Sequence, residues 1–126
     1  SISIRLLKNK GIDYLALGHV HSYKKEKLDA RGIYCYPGCL EGRGFDECGE
    51  HGFVVIEVNN NTLTSHEMIK AASRCLYEID VDISECLNSS EIINNIQHAL
   101  DIKHYSSSSM IKVVLTGNIN VNCEKI

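Results

Sequence analysis

Asp13-Tyr14-Leu15-Ala16-Leu17-Gly18-His19-Val20-His21 is the stretch on which the reading of the fold turns. Its first part, Asp13 to Leu17, reads as a short buried strand, and its end sets two imidazoles two positions apart. In an extended segment alternate side chains share a face, so both rings are expected on one side. Rings placed in that way each offer a nitrogen to one metal, or to two adjacent metals. Two ligands do not complete a catalytic metal site, which needs at least three protein ligands and an open position for water. A strand-end histidine pair held by structural hydrogen bonds fits the same spacing. The residues downstream separate these readings.

About a dozen residues on come Tyr36-Pro37-Gly38-Cys39-Leu40-Glu41-Gly42-Arg43-Gly44-Phe45-Asp46-Glu47, then Gly49-Glu50-His51-Gly52-Phe53 and an apolar run. The ordered set Asp13-Tyr14-x-Ala16-Leu17-Gly18-His19-x-His21, Tyr36-Pro37-Gly38, Arg43 to Glu47 and Gly49-x-x-Gly52-Phe53 resembles the last catalytic block of calcineurin-like metallophosphoesterases. Within them it is most similar to the SbcD/YhaO-type DNA repair exonucleases. The resemblance covers Asp13 to Val58. One departure is Cys39, which stands where many relatives carry a serine after the Pro-Gly pair.

In that family an Asp-x-His, a Gly-Asp-x-x-Asp, a Gly-Asn-His-Asp and a further His precede the closing Gly-His-x-His block. Here the block begins at Gly18, and His51, His66, His98 and His104 stand in no Asp-x-His or Asn-His-Asp context. The resemblance therefore implies the C-terminal part of a metal-dependent phosphodiesterase, a hydrolase acting as a DNA exonuclease in DNA repair, with the 126 residues alone inactive. His19 and His21 are the implied catalytic residues, each ligating one of two divalent cations, often manganese. Such a pair clamps the scissile phosphate and lowers the pKa of a bridging water that attacks in line. In these residues alone the metal centre is expected to be incomplete.

Arg43 is the candidate substrate-binding residue. Arg43, Asp46 and Glu47 order the loop beside the site, either for substrate or as a local ion-pair and turn-capping network. His51 lies in a glycine-rich turn and is expected to serve backbone geometry. The implied partners are DNA, through the intact parent, and an ATPase of the SbcC type. Strand edges also allow a homo-oligomer. Two further readings are a non-catalytic oligomerisation or partner-binding module, and a phosphoesterase acting on nucleotides or other small phosphoesters.

Composition fits a cytoplasmic protein with no membrane partner: the formal charge is −3, and no apolar stretch approaches the ~20 residues of a membrane span. A net acidic chain without a basic stripe is a poor stand-alone nucleic-acid binder, since Lys and Arg neutralising phosphates supply most non-specific affinity. Lys24, Lys25, Lys27 and Arg31 are interleaved with Glu26 and Asp29, a solvated segment or a phosphate contact. The six cysteines allow three readings. Cys35, Cys39, Cys48 and His51 offer a Cys₃His zinc set without the paired-knuckle spacing. Disulfides are disfavoured in a reducing cytosol, and plain buried thiols acting as small hydrophobes remain.

The expected fold class is α/β (α+β). The resemblance implies that residues 1–72 are the C-terminal part of a catalytic domain, giving the last strands of its α/β sandwich, and that residues 73–126, read as strand, helix and strand, are a partial α/β capping domain. Ser3 to Lys10 reads as a helix end capped by Ser1 or Ser3 and stopped by Gly11. Tyr23 to Gly32 turns into the strand Ile33 to Tyr36. Phe53 to Val58 is a near-continuous apolar run, hence a strand covered on both faces, which turns at Asn59-Asn60-Asn61 into a second strand from Thr62 to about Lys70. A join near Ala72 leads to Cys75–Ile83, where Cys75, Tyr77, Ile79, Val81 and Ile83 alternate with Leu76, Glu78, Asp80 and Asp82. Asn88-Ser89-Ser90-Glu91 resembles a capping box, followed by a helical stripe of Ile92, Ile93, Ile96, Ala99 and Leu100. A serine-rich loop and the strand of Ile111, Val113 and Leu115, ended by Gly117, complete the pattern.

Overall fold

The computed structural model describes residues 3–118. Seven strands, β1 (Tyr14–Ala16), β2 (Lys24–Lys27), β3 (Ile33–Tyr36), β4 (Gly52–Asn59), β5 (Thr62–Lys70), β6 (Leu76–Asp82) and β7 (Met110–Thr116), and the helix α1 (Ser89–Lys103) make an α+β arrangement. The strands form three small sheets, ordered β1-β3-β2, β4-β5 and β6-β7.

In the first sheet β1 runs parallel to β3, pairing Leu15 with Tyr34, and β2 returns antiparallel, pairing Lys25 with Cys35. The central strand β3 holds the buried Tyr34 and Cys35, and Leu28 closes the turn before it. The β1 strand is shorter than the Asp13–Leu17 reading and only half-buried, because it lies at a sheet edge with β3 on one side alone. The β2 strand is exposed throughout. Its charges pair locally, Lys24 with Glu26 at 3.5 Å, while Arg31 reaches Asp13 at 2.8 Å. Upstream the expected helix end is a single 3₁₀ turn, Ile4–Leu7, and Ser3 precedes it without a side-chain capping bond. Ser1 lies outside the described residues.

The hairpin β4–β5 closes on a two-residue turn, since Asn59 pairs with Thr62 and both Asn60 and Asn61 have positive φ. That is the type I′ geometry that matches strand twist. The expectation that β4 is covered on both faces is corrected: Phe53, Val55, Ile56 and Val58 are exposed, Val58 at 59%. A continuous apolar run states only that burial is favourable, and a two-stranded hairpin supplies too little partner surface to achieve it. The hairpin meets the first sheet where Tyr14 Oη lies 3.1 Å from His66 Nε2. Burial pushes the Tyr14 phenol up to about 12 and pushes the His66 imidazole down, so the phenol donates and the neutral ring accepts.

Beyond Ala72, β6 and β7 pair in parallel, Ile79 opposite Val113, with α1 as the connection such pairing requires. Asn88 caps α1 by accepting from the Glu91 backbone N–H at 3.0 Å, and the Glu91 carboxylate accepts in turn from the Leu87 N–H. Ile79, Val81, Ile83, Cys86 and Ile92 form a buried cluster, with Ile96, Ala99, Leu100, Ile111 and Val113 packed against it. Ile93 departs from the expected stripe and is exposed, as is Leu115 at the far end of β7. Leu15, Leu17, Val54 and Ile56 are not in this cluster, and none of the four is fully buried.

The segment between the sheets is tied down. Ala71 and Ala72 donate their backbone N–H groups to the His51 carbonyl, and the Gly49 N–H donates to the Leu76 carbonyl at 2.8 Å. The Glu41 carboxylate accepts from the Ser73 N–H, the Ser73 hydroxyl and the Arg74 N–H. These bonds hold Glu41 below the ordinary carboxylate range.

Candidate metal centre

The two motif histidines leave β1 by different paths. His19 has φ +76°, the left-handed region, which non-glycine residues enter at a cost and His enters more readily than most. The backbone is therefore not extended through the motif, and the expectation that alternation puts both rings on one side is corrected. His19 lines a largely apolar hollow with Ile4, Leu7, Leu17, Val20 and Tyr36. His21 lines a different one, of about 320 Å³, with Cys39, Leu40, Glu41, Arg43 and Glu47.

Backbone packing fixes His21 first. The strand β3 ends at Pro37-Gly38, and the Cys39 N–H donates to the His21 carbonyl at 2.9 Å. Gly38 has φ +79°, and a Cβ there would lie 2.6 Å from that same carbonyl oxygen. Glycine is needed for both reasons. The side chain is then held by Glu47, whose Oε1 is 2.5 Å from His21 Nδ1. The Glu47 side chain is 14% exposed, whereas that of His21 is 65% exposed. One edge of the imidazole is thus anchored and the other faces out.

Glu47 is itself braced. Its Oε2 accepts from the Arg43 backbone N–H at 2.9 Å, and that bond, followed by the one to His21, keeps the carboxyl below its ordinary range. Its main-chain carbonyl accepts from His51 Nε2 at 2.8 Å. His51 Nδ1 lies 3.2 Å from the Cys39 carbonyl oxygen and 3.3 Å from the Cys39 sulfur. Burial, and then the nearby Glu47 charge, push the Cys39 thiol up, and the protonated thiol donates to Glu47 Oε2 at 3.8 Å. Gly42 completes the packing, since a Cβ there would meet the Glu47 carbonyl at 2.6 Å. His51, 6% exposed, braces the loop.

Among the described residues, one group brings ligand atoms together in number: His21, Cys39 and Glu47, within 4.8 Å of one another. Nitrogen, sulfur and carboxylate oxygen suit a divalent cation, and an exposed imidazole edge suits one best. His19 is outside this group. The Cys₃His set is not assembled: Cys35 is buried in β3, and the exposed Cys48 donates to the Phe45 carbonyl at 3.0 Å. Arg43 lines the His21 hollow, and its backbone orders Glu47. Sequence reasoning left Glu47 among the loop-ordering residues and missed its contact with His21. Nothing in a separation of 26 positions signals it without the fold.

No family model matches the chain. It is similar to uncharacterized metallophosphoesterase YhaO of Bacillus subtilis strain 168, 28% identical over 113 residues, which is 88% of this chain. It is also similar to the DNA double-strand break repair protein Mre11 of Aeropyrum pernix, 33% identical over 75 residues, or 60% of this chain. The chain is thus similar to a metallophosphoesterase and to a DNA repair protein. It spans 27% of the length of the first protein and 18% of the second. The resemblance seen at Asp13 to Val58 thus extends, with YhaO, over most of the chain. No helix among the described residues is long and apolar enough to cross a membrane.

Proposed function

We propose that these residues are the C-terminal part of a metal-dependent phosphodiesterase that degrades DNA as a repair exonuclease. The observation that carries this reading is the His21 ring, presented from the Gly-His-x-His motif with one nitrogen tied to Glu47 and the other edge open. His21 holds one divalent cation and His19 the second, the latter on the strength of the motif alone. When bound, such a cation pair supplies Lewis-acid activation of a phosphoester and of the attacking water; manganese is the proposed ion. Residues 1–72 form the catalytic part and residues 73–126 the cap. Arg43, on the rim of the His21 hollow, binds substrate phosphate. DNA as substrate is supported by the repair role named for the Aeropyrum relative. A partner ATPase of the SbcC type and a cytoplasmic location belong to the same proposal.

The test is made on the full-length gene product with linear duplex DNA and manganese. His21→Ala is expected to lose more than about tenfold in turnover with an unchanged circular dichroism spectrum, because the ring acts on metal geometry and is exposed to solvent. An unchanged rate at saturating manganese refutes the ligand assignment.

A further inference from the structure

We infer that Glu47 is the positioning residue of His21, fixing its ring so that Nε2 alone is presented to a cation. The inference rests on the phosphodiesterase reading for its consequence but not for its geometry. A carboxylate is an acceptor only, so the His21 Nδ1 atom, 2.5 Å from Glu47 Oε1, must carry the hydrogen. A neutral imidazole has one N–H, and Nε2 is then the nitrogen with the free lone pair. Metal-binding histidines are commonly oriented in this way by a carboxylate on the opposite nitrogen, which also raises the basicity of the ligating one.

The carboxylate is well suited to the task because both its oxygens and its main chain are committed. Oε1 faces His21, Oε2 takes the Arg43 N–H at 2.9 Å, and the carbonyl takes His51 Nε2 at 2.8 Å. Glu47 can therefore neither swing away nor rotate without losing at least one bond. The same geometry bears on Cys39, the third member of the converging group. A cation bound through His21 Nδ1, Cys39 and Glu47 together would have to replace the Nδ1–H bond, whereas a cation on Nε2 leaves it intact. The second arrangement is the one that keeps Glu47 in its positioning role.

Two measurements test it. The first uses the 126-residue chain labelled with ¹⁵N, and reads which His21 nitrogen is protonated from long-range ¹H–¹⁵N couplings at neutral pH, without metal. The expected result is Nδ1–H in the wild type and a shift toward the Nε2–H form, preferred by an untethered imidazole, in Glu47→Ala. An Nε2–H ring in the wild type overturns the inference. Should Glu47→Ala fail to fold, Glu47→Leu serves instead: it keeps much of the side-chain volume and offers no acceptor, so the His21 bond is lost and the ring signal moves. A ring signal that does not move in any folded variant overturns the inference.

The second measurement uses the full-length protein and reads manganese affinity by electron paramagnetic resonance. Glu47→Ala is expected to weaken it by about 10- to 100-fold, with Glu47→Gln between it and wild type. If His21→Ala abolishes binding and Glu47→Ala does not, the positioning role is refuted. If neither variant changes binding, the phosphodiesterase reading fails while the ring result stands by itself. Cobalt(II) titration of the 126-residue chain distinguishes the competing ligand set, since a sulfur-to-cobalt absorption that disappears in Cys39→Ser overturns the Nε2 arrangement.

Discussion

Truncating Ile92 tests the packing of the helix, because neighbouring isoleucines on α1 have opposite environments. Ile92 is 1% exposed and sits among Ile79, Val81, Ile83 and Cys86, whereas Ile93 is 52% exposed. Ile92→Ala removes three buried carbons, and at ~0.8 kcal/mol for each the transfer loss is ~2.4 kcal/mol. The cavity left behind raises the loss to about 3 kcal/mol, within the usual 2–5 for such truncations. Ile93→Ala gives up roughly half as much transfer energy, and a few tenths of a kcal/mol return because alanine is the better helix former. Its expected cost is under about 1 kcal/mol. Urea denaturation followed by circular dichroism reads the difference: with a slope of about 2 kcal/mol per molar, Ile92→Ala lowers the midpoint by about 1.5 M and Ile93→Ala by less than about 0.5 M. Equal shifts for the two would mean that α1 buries a different face, and the packing assigned to Ile92 would be wrong.

Gly38→Ala combines a positive φ with a Cβ 2.6 Å from the His21 carbonyl, so it is expected to destabilise by more than about 1 kcal/mol; Gly18→Ala, with nothing within 4 Å, is the near-neutral control in the same urea assay. Acid is expected to destabilise the chain. Asp13 is held below its ordinary value first by the Arg31 hydrogen bond, Glu26 by the Tyr34 hydroxyl, Asp29 by the Asn9 N–H, Glu41 and Asp82 by the hydroxyls of Ser73 and Ser84. Carboxylates depressed in this way contribute fully above the unfolded range of about pH 4, and the contribution is lost as pH falls through their folded values. The His66 ring, depressed by burial, begins the decline earlier, because the unfolded chain takes up its proton near pH 6.5. Urea midpoints from pH 7 to pH 3 should therefore fall toward acid, less steeply in Glu41→Gln, and a flat or rising profile refutes this account.

Where the sequence carries a local code, the fold was legible from it. The β5 strand begins at Thr62 and the α1 cap is Asn88, because asparagines tolerate a left-handed turn and accept a helix N–H, and both facts are written in a few adjacent residues. Burial was less legible. Phe53 to Val58 has the composition of a covered strand, yet what covers a strand is decided by packing at a distance. The same divide runs through the site. The Pro37-Gly38 break is local and reads directly, while the meeting of His21 with Glu47 depends on β3 ending where it does and on the loop after it folding back. The left-handed turn at His19 breaks the expected alternation, since one residue out of the extended region is enough to redirect the rest of the motif.

The loop from Gly38 to His51 joins the motif, the candidate site and the entry to β6. It is short of hydrophobic anchors, with Leu40 exposed, so its shape must come from hydrogen bonds. Those bonds run in three directions: to the motif through Cys39 N–H and His21, to its own far end through His51 and Glu47, and to the entry of β6 through Glu41 and Gly49. Each direction includes at least one main-chain atom, which cannot rotate away as a side chain does. A carboxylate mounted on such a frame loses little further entropy when it orients an imidazole, and preorganisation of that kind is what a ligand shell requires. The glycines at 38 and 42 make the frame possible by letting backbone approach backbone, where any Cβ would stand 2.6 Å from a carbonyl oxygen. The position of Glu47 relative to His21 is thus set by the backbone of the loop as a whole. A change at the Glu41 clasp, outside the His21–Glu47 pair itself, acts on the same geometry as a change in the motif.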